Sequence, residues 1–365
     1  MDILIKNNCS FITFIGVIML SLTICSCSKG PGVMETDSKI RVVSGIITFS
    51  SDRVGSLFLL KDGKIEKLAL EGGNGRFSLD GSKIYYGKGF ELFSYDLLTA
   101  ERDALTQLDE FVPGQFDISP DDKQIVFESP GPKFDYDIPR NIYVVNVDGT
   151  GYKQLTFFTG GPKGWNARGA ERPRWSPDGT KIVFVGPAII GKSSMDTAIY
   201  IVKPNGEDLT KIISNANEIY KPNSPSWSPD SKKIVFSALL KNDKQGYESV
   251  WTANDDGTNA QTRIWSYRYI FTANADGSDI IQVTTKQYND ADPVFSPDGS
   301  QICFVSHRHY TRDKIPNPIG AELYVINADG TGEIQITPTT ILGKDNVISP
   351  HLSEYANDSS PDWHE

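Results

Sequence analysis

From about residue 42 onward, apolar positions come in short runs, each broken by Gly, Pro, Asp or Asn. One phrase governs the breaks. Pro173-Arg174-Trp175-Ser176-Pro177-Asp178-Gly179 leads into Ile182-Val183-Phe184. It returns as Pro225-Ser226-Trp227-Ser228-Pro229-Asp230 before Ile234-Val235-Phe236, and as Pro293-Val294-Phe295-Ser296-Pro297-Asp298 before Ile302-Cys303-Phe304. Weaker copies are Phe116-Asp117-Ile118-Ser119-Pro120-Asp121 and Phe77-Ser78-Leu79-Asp80-Gly81. A phrase recurring at such spacing signals a repeat architecture.

The phrase reads as a hairpin. Pro presets φ at the second position of a type I turn, and Gly accepts the left-handed conformation that closes it. β-Branched and aromatic residues flank the turn, as half-buried strands require. A third strand with an aromatic follows each pair, as in Ile142-Tyr143-Val144-Val145 and Leu323-Tyr324-Val325-Ile326, and ends in Asp-Gly or Asn-Gly. Such dipeptides between strands predict a second hairpin. A fourth strand ends near Leu155-Thr156 or Ile336-Thr337. The first repeat, from Ile46, lacks a Pro-x-Trp strand, whereas Pro361-Asp362-Trp363 supplies one at the other terminus. The pattern therefore predicts an all-β, six-bladed β-propeller of four-stranded antiparallel blades, with one blade shared by the two terminal strands. Ring closure of this kind removes exposed sheet edges. Residues 250–258 and 270–278 are near-duplicates of a third strand and its turn, and either an added hairpin or a bulged loop accommodates the extra copy.

The formal charge of −10 excludes an electrostatic nucleic-acid binder. Residues 1–26 carry Lys6, an apolar run from Phe11 to Ile24 and a small residue, Ser26, before Cys27. That pattern is expected to be a lipoprotein signal peptide, with Cys27 lipidated. An uncleaved anchor fits less well, because the run is short for a span of ~20 residues. Residues 27–41 are expected to be a lipidated flexible tether, and 42–365 the propeller. Cys303 occupies a position held by valine in other repeats, so it reads as a buried, unpaired strand residue.

At Ser-Pro-Asp-Gly-x-Lys-Ile-Val-Phe the repeats resemble TolB-type β-propellers, over nearly all of the chain after residue 42. The resemblance lacks the α/β domain that precedes the propeller in TolB. No hydrolase domain is expected after the repeats, so the chain is not expected to resemble propeller-bearing peptidases. The lipoprotein signal leads to the expectation of a bacterial envelope protein, lipid-anchored in the outer membrane or at its periplasmic or surface face, and a monomer is expected.

Strand order places the short Ser-Pro-Asp and Asp-Gly turns on one face of the disc and the longer loops on the other. Irregular loops on a rigid scaffold commonly carry binding residues. The loop-rich face is expected to bear Trp165, Arg168, Arg172, Tyr136, Tyr247, Tyr288, Arg308 and Tyr310. Aromatics with Arg suit recognition of an envelope protein, peptide or glycan. The Ser-Pro-Asp acids are expected only to cap their own turns. The favoured reading is a non-catalytic binding scaffold without cofactor, touching the membrane through its lipid alone. The alternative is a metal-dependent polysaccharide lyase using His307 and His309, which share a face if their strand continues, with His351 from the loop before the closing strand. Oligogalacturonate lyases, which have a propeller with a histidine-built manganese site, resemble this design. Neutral imidazoles suit a divalent transition metal.

Overall fold

The computed structural model describes residues 45–51, 56–78, 80–88, 91–107, 114–131, 138–159, 169–189, 196–215, 218–241, 267–306, 308, 322–337 and 361–364. Among the described residues every regular element is a strand. The first blade holds β1 (Ile46–Ser51), β2 (Ser56–Lys61) and β3 (Lys64–Glu71). The second holds β4 (Gly73–Phe77), β5 (Lys83–Lys88), β6 (Glu91–Asp96) and β7 (Arg102–Gln107). The third holds β8 (Phe116–Ile118), β9 (Gln124–Ser129), β10 (Asn141–Asn146) and β11 (Lys153–Gln154). The fourth holds β12 (Glu171–Trp175), β13 (Ile182–Pro187), β14 (Thr197–Val202) and β15 (Thr210–Ile213). The fifth holds β16 (Ile219–Trp227), β17 (Lys233–Leu240), β18 (Arg268–Asn274) and β19 (Ile281–Gln282). The sixth holds β20 (Asp290–Phe295), β21 (Gln301–Ser306), β22 (Glu322–Asn327) and β23 (Ile334–Gln335). The last strand, β24 (Asp362–His364), returns to the first blade beside β1, completing six four-stranded antiparallel sheets. The molecule is a six-bladed β-propeller, as the repeat pattern predicts.

Closure rests on the register Ile46↔His364 and Ile47↔Trp363. Trp363 is buried there with Ile47 and Phe49. Gly81, at φ 68°, lets the turn of the second blade approach closely, since a Cβ would lie 2.5 Å from the His364 ring. Of the two near-duplicate segments, residues 268–274 form the third strand of the fifth blade. Residues 250–258 lie outside the described residues.

Each blade is pinned by an aromatic pair directly opposed between its second and third strands. The pairs include Phe184↔Tyr200, Phe236↔Phe271 and Phe304↔Tyr324. Their ring centroids are 5.6, 5.6 and 6.0 Å apart. Phe49–Phe58, Tyr86–Phe93 and Phe127–Tyr143 repeat the arrangement in the other blades. Stacking of this kind adds roughly 0.5–1.5 kcal/mol per pair beyond the area buried, and it sets the strand register through side chains on one face. Cys303 is fully buried and free, as its valine-like position predicts.

The Ser-Pro-Asp turns form as their sequence dictates. In the fourth blade Gly179 N–H donates to Ser176 O at 2.8 Å. Asp178 Oδ1 accepts from the Ser176 hydroxyl at 2.6 Å and from Thr180 N–H at 2.9 Å. The outer turns lie beside these, since Ala275 N–H donates to Lys232 O and Val147 N–H to Lys123 O, both at 2.9 Å. Both sets of short turns therefore share one face.

The innermost strands carry a feature the repeat pattern does not predict. β4, β12, β16 and β20 each shift register just before the Pro-x-Trp position. The residue at each shift has a left-handed backbone: φ is 59° at Asn74, 58° at Arg172, 51° at Ser224 and 50° at Asp292. Left-handed non-glycine residues are strained, and bulges re-aim side chains. Here Arg172, Ser224 and Asp292 meet in the central channel.

Candidate functional site

The middle residue of each Pro-x-Trp phrase, or its counterpart, lines the channel wall, except Arg76, which is enclosed behind it. In ring order these are Asp362, Arg76, Asp117, Arg174, Ser226 and Val294, one from each innermost strand. Four consecutive blades thus present alternating charges, and the next two present small uncharged side chains. Above this ring lies a funnel of about 430 Å³ whose wall includes Trp175, Trp227, Trp363 and His364. It opens on the face of the short turns, because Pro120, Pro177, Pro229 and Pro297 also line it.

The charged arc is tied to the inner strands. Asp117 Oδ2 accepts from Trp175 N–H at 2.8 Å, and Asp362 Oδ2 accepts from Phe77 N–H at 2.8 Å. Each aspartate thereby satisfies a backbone donor of the following blade. The Trp227 indole N–H reaches back to Arg174 O at 3.2 Å. Asp117 Oδ1 lies 3.8 Å from Arg76 Nε and 4.0 Å from Arg174 Nη1. Arg76 is only 2% exposed. Burial, reinforced by the neighbouring Arg174 charge, lowers its pKa to about 9. Burial also raises the Asp117 carboxyl above its ordinary value, against the pull of Arg174 and Arg76.

A second layer of side chains adjoins the ring, sharing a small space with Arg174 and Val294. Arg172 Nη1 donates to Asp292 Oδ1 at 2.5 Å and to the Ser224 hydroxyl at 2.8 Å, and that hydroxyl donates to Asp292 Oδ1 at 2.6 Å. Arg172 N–H donates to Glu128 Oε2 at 2.5 Å, and Arg140 pairs with the other oxygen of Glu128.

Three residues expected on the loop-rich face are described, and all are engaged inside the protein. Arg172 lies in the channel layer rather than on an open surface, because the bulge at its own position turns it inward. Arg308 is held between rings, its guanidinium carbon 3.5 Å from the Tyr324 centroid and 4.4 Å from that of Tyr288. It also forks onto Glu333 at 2.8 and 3.3 Å. Tyr288 is therefore one wall of an arginine sandwich. Trp165, Arg168, Tyr136, Tyr247 and Tyr310 lie outside the described residues, as do His307, His309, His351 and Cys27. Among the described residues no group of three or more His, Cys, Asp or Glu is placed to hold a metal ion.

Sequence reasoning passed over Asp117, Arg174 and Asp362 of the funnel and Arg76 behind them. The available signal was the variable position inside an otherwise constant phrase. Four charged residues at the same repeat position point to one shared environment.

No protein-family model matches the chain. The uncharacterized peptidase YuxL of Bacillus subtilis (strain 168) is 26% identical over 220 residues, covering 54% of this chain and 32% of that protein. The chain thus spans about a third of that relative's length. This partial likeness to a peptidase-named protein stands beside the expectation that propeller-bearing peptidases are not resembled. TolB from Acinetobacter baumannii has a similar structure, with a TM-score of 0.58 at 15% identity, covering 88% of this chain and 66% of that one. Oligogalacturonate lyase from Vibrio parahaemolyticus gives 0.53 at 14% identity, covering 87% and 86%. At such identities the likeness is one of architecture, which hosts both binding and catalysis. By fold, the chain is a six-bladed β-propeller of the TolB type.

Proposed function

We propose that this chain is a non-catalytic binding module of the bacterial cell envelope, exported and lipid-anchored through Cys27, that receives a polypeptide partner in its central funnel. The observation that carries this reading is the funnel floor. Asp117 and Asp362 are each tied to a backbone N–H of the next blade, and Arg76 and Arg174 flank Asp117. Groups so tethered hold a fixed geometry, which suits a preorganised recognition surface. The surrounding prolines and self-capped turns stiffen the mouth, which lowers the ordering cost of binding. The funnel replaces the loop-rich face as the preferred location, because it joins a concavity to a fixed polar floor.

The test is selection from a random peptide library on the intact protein, set beside a Ser226→Trp variant whose added indole fills the funnel. Peptides that bind the native protein and lose about tenfold or more on the plugged one support the reading. Peptides that bind both equally, or no enrichment at all, overturn it. Metal content of protein purified without a His tag, beside His307→Ala/His309→Ala, decides the lyase alternative. Near-stoichiometric metal lost in the variant would favour that alternative.

A further inference from the structure

The chemistry of the funnel narrows its guest, on the reading that the funnel is a binding site. Its wall includes three carboxylates, Asp117, Asp122 and Asp362, against one guanidinium, Arg174. Arg76 compensates part of that charge from behind the wall, where it is almost wholly enclosed. Asp117 Oδ1 is at ion-pair distance from Arg76 and Arg174, 3.8 and 4.0 Å, but beyond hydrogen-bond reach of either. It therefore accepts less than its bonding capacity. Asp362 lies two places away in the ring, with one oxygen already on Phe77 N–H.

The opposite arc is different. Val294 and Ser226 leave a shallow, weakly polar wall there, and Trp227 and Phe295 continue it upward. The mouth adds to the asymmetry. Asp80, Asp121, Asp230 and Asp298 sit on the turns around it, and the serine hydroxyl of each turn holds the carboxyl below its ordinary range. On the outer turns of the same face the hydroxyls of Thr150, Ser278 and Thr331 likewise lower the carboxyls of Asp148, Asp276 and Asp329. Acidic residues outnumber basic ones across these turns.

An acidic, aromatic-walled concavity on an acidic face is complementary to a cation carried on an aliphatic stem. We infer that the funnel takes a lysine or arginine side chain presented by a loop or tail of the partner polypeptide. The stem lies along Val294 and Ser226, and the charged head meets Asp117 and Asp362. The acidic rim speeds encounter with a basic segment.

The probe is the peptide N-acetyl-Gly-Gly-Lys-Gly-Gly-amide, titrated calorimetrically into the full chain. Controls are the same peptide with Nε-acetyl-lysine and with glutamate. The lysine peptide is expected to bind, with both controls at least about tenfold weaker. Asp117→Asn and Asp362→Asn keep an acceptor for the Trp175 and Phe77 N–H groups, so the fold is retained, which a thermal melt checks. Each is expected to weaken the lysine peptide by about tenfold, and Ser226→Trp to abolish its binding. The inference is overturned if no lysine-peptide binding is detected, if the glutamate peptide binds better, if the Asn variants bind unchanged, or if plugging has no effect. Library peptides that need an open funnel but lack lysine and arginine would overturn this inference and leave the binding reading standing. Loss of every funnel-dependent peptide would remove both.

Discussion

Arg172 of the fourth blade and Asp292 of the sixth meet across the central channel, Nη1 to Oδ1 at 2.5 Å, with the Ser224 hydroxyl of the intervening blade on both. The pair joins blades that share no strand pairing. Removing one partner leaves a buried charge held only by the Ser224 hydroxyl and less direct neighbours. Asp292→Ala or Arg172→Ala is therefore expected to destabilise by about 3–5 kcal/mol. Arg172→Met/Asp292→Leu together should recover most of that loss, because the desolvation penalty then disappears from both sides. Urea midpoints of the three variants check this. Simple additivity of the two single losses would refute the coupling.

Asp290 gives the protein a pH dependence of unusual sign. Its carboxyl is enclosed, facing Ser306, Thr284, Arg308 and Glu333, and burial pushes its pKa up to about 6. A carboxyl raised on folding binds its proton more tightly in the native state. Its stabilising share is full below the ordinary value near 3.8 and is lost as pH rises through about 6. The loss is on the order of a few kcal/mol. Thermal melts from pH 4 to 7 should show the decline, and Asp290→Asn should flatten it. An unchanged slope in that variant would place the effect on another group, such as Glu128, whose carboxyl burial also raises.

The turn aspartates act in the opposite direction. Ser176 donates to Asp178 Oδ1 through its hydroxyl, and Thr180 through its N–H and its hydroxyl; against the effect of burial, these bonds hold the carboxyl below its ordinary range. Asp178→Ala is expected to cost about 1 kcal/mol. Asp178→Asn should cost less, since an amide oxygen still accepts from these donors. Stability from such turns is present above pH ~4 and falls as the carboxyls protonate in more acidic solution. Chemical denaturation at pH 7 separates the two substitutions.

Ring closure depends on a strand of three residues, Asp362–His364. Trp363 contributes its burial in the first blade, and Asp362 a hydrogen bond to the second. Trp363→Ala is expected to cost about 3–5 kcal/mol through the cavity it leaves. Hydrogen exchange should show β1 and β4 opening first, because they border the weakened junction. Uniform loss of protection around the ring would contradict that order.

The fold was legible because a propeller repeats its instructions. Ser-Pro-Asp-Gly forms its turn from local geometry alone, and Asp178 caps that turn as expected. The alternation of Phe and Tyr partners carries the cross-strand pairing. The orphan Pro361-Asp362-Trp363 announced its own destination, since a blade beginning at Ile46 lacks one strand. The candidate site was less legible. Arg172, Tyr288 and Arg308 have the composition of a recognition surface, yet Arg308 lies between two tyrosine rings and Arg172 points into the channel.

The sequence by itself determined the number of blades, the turns, the closure and the buried place of Cys303, because these depend on neighbours along the chain or on a periodic pattern. Only the tertiary structure decided which charges meet. Arg76, Asp117, Arg174 and Asp362 come from four blades and are far apart in sequence, and their interaction depends on the curvature that brings the innermost strands around one axis. The inward turn of Arg172 depends on a register shift between β12 and β13, which no local preference of arginine specifies. Local chemistry builds each blade, whereas the electrostatics of the funnel exist only once six blades have closed.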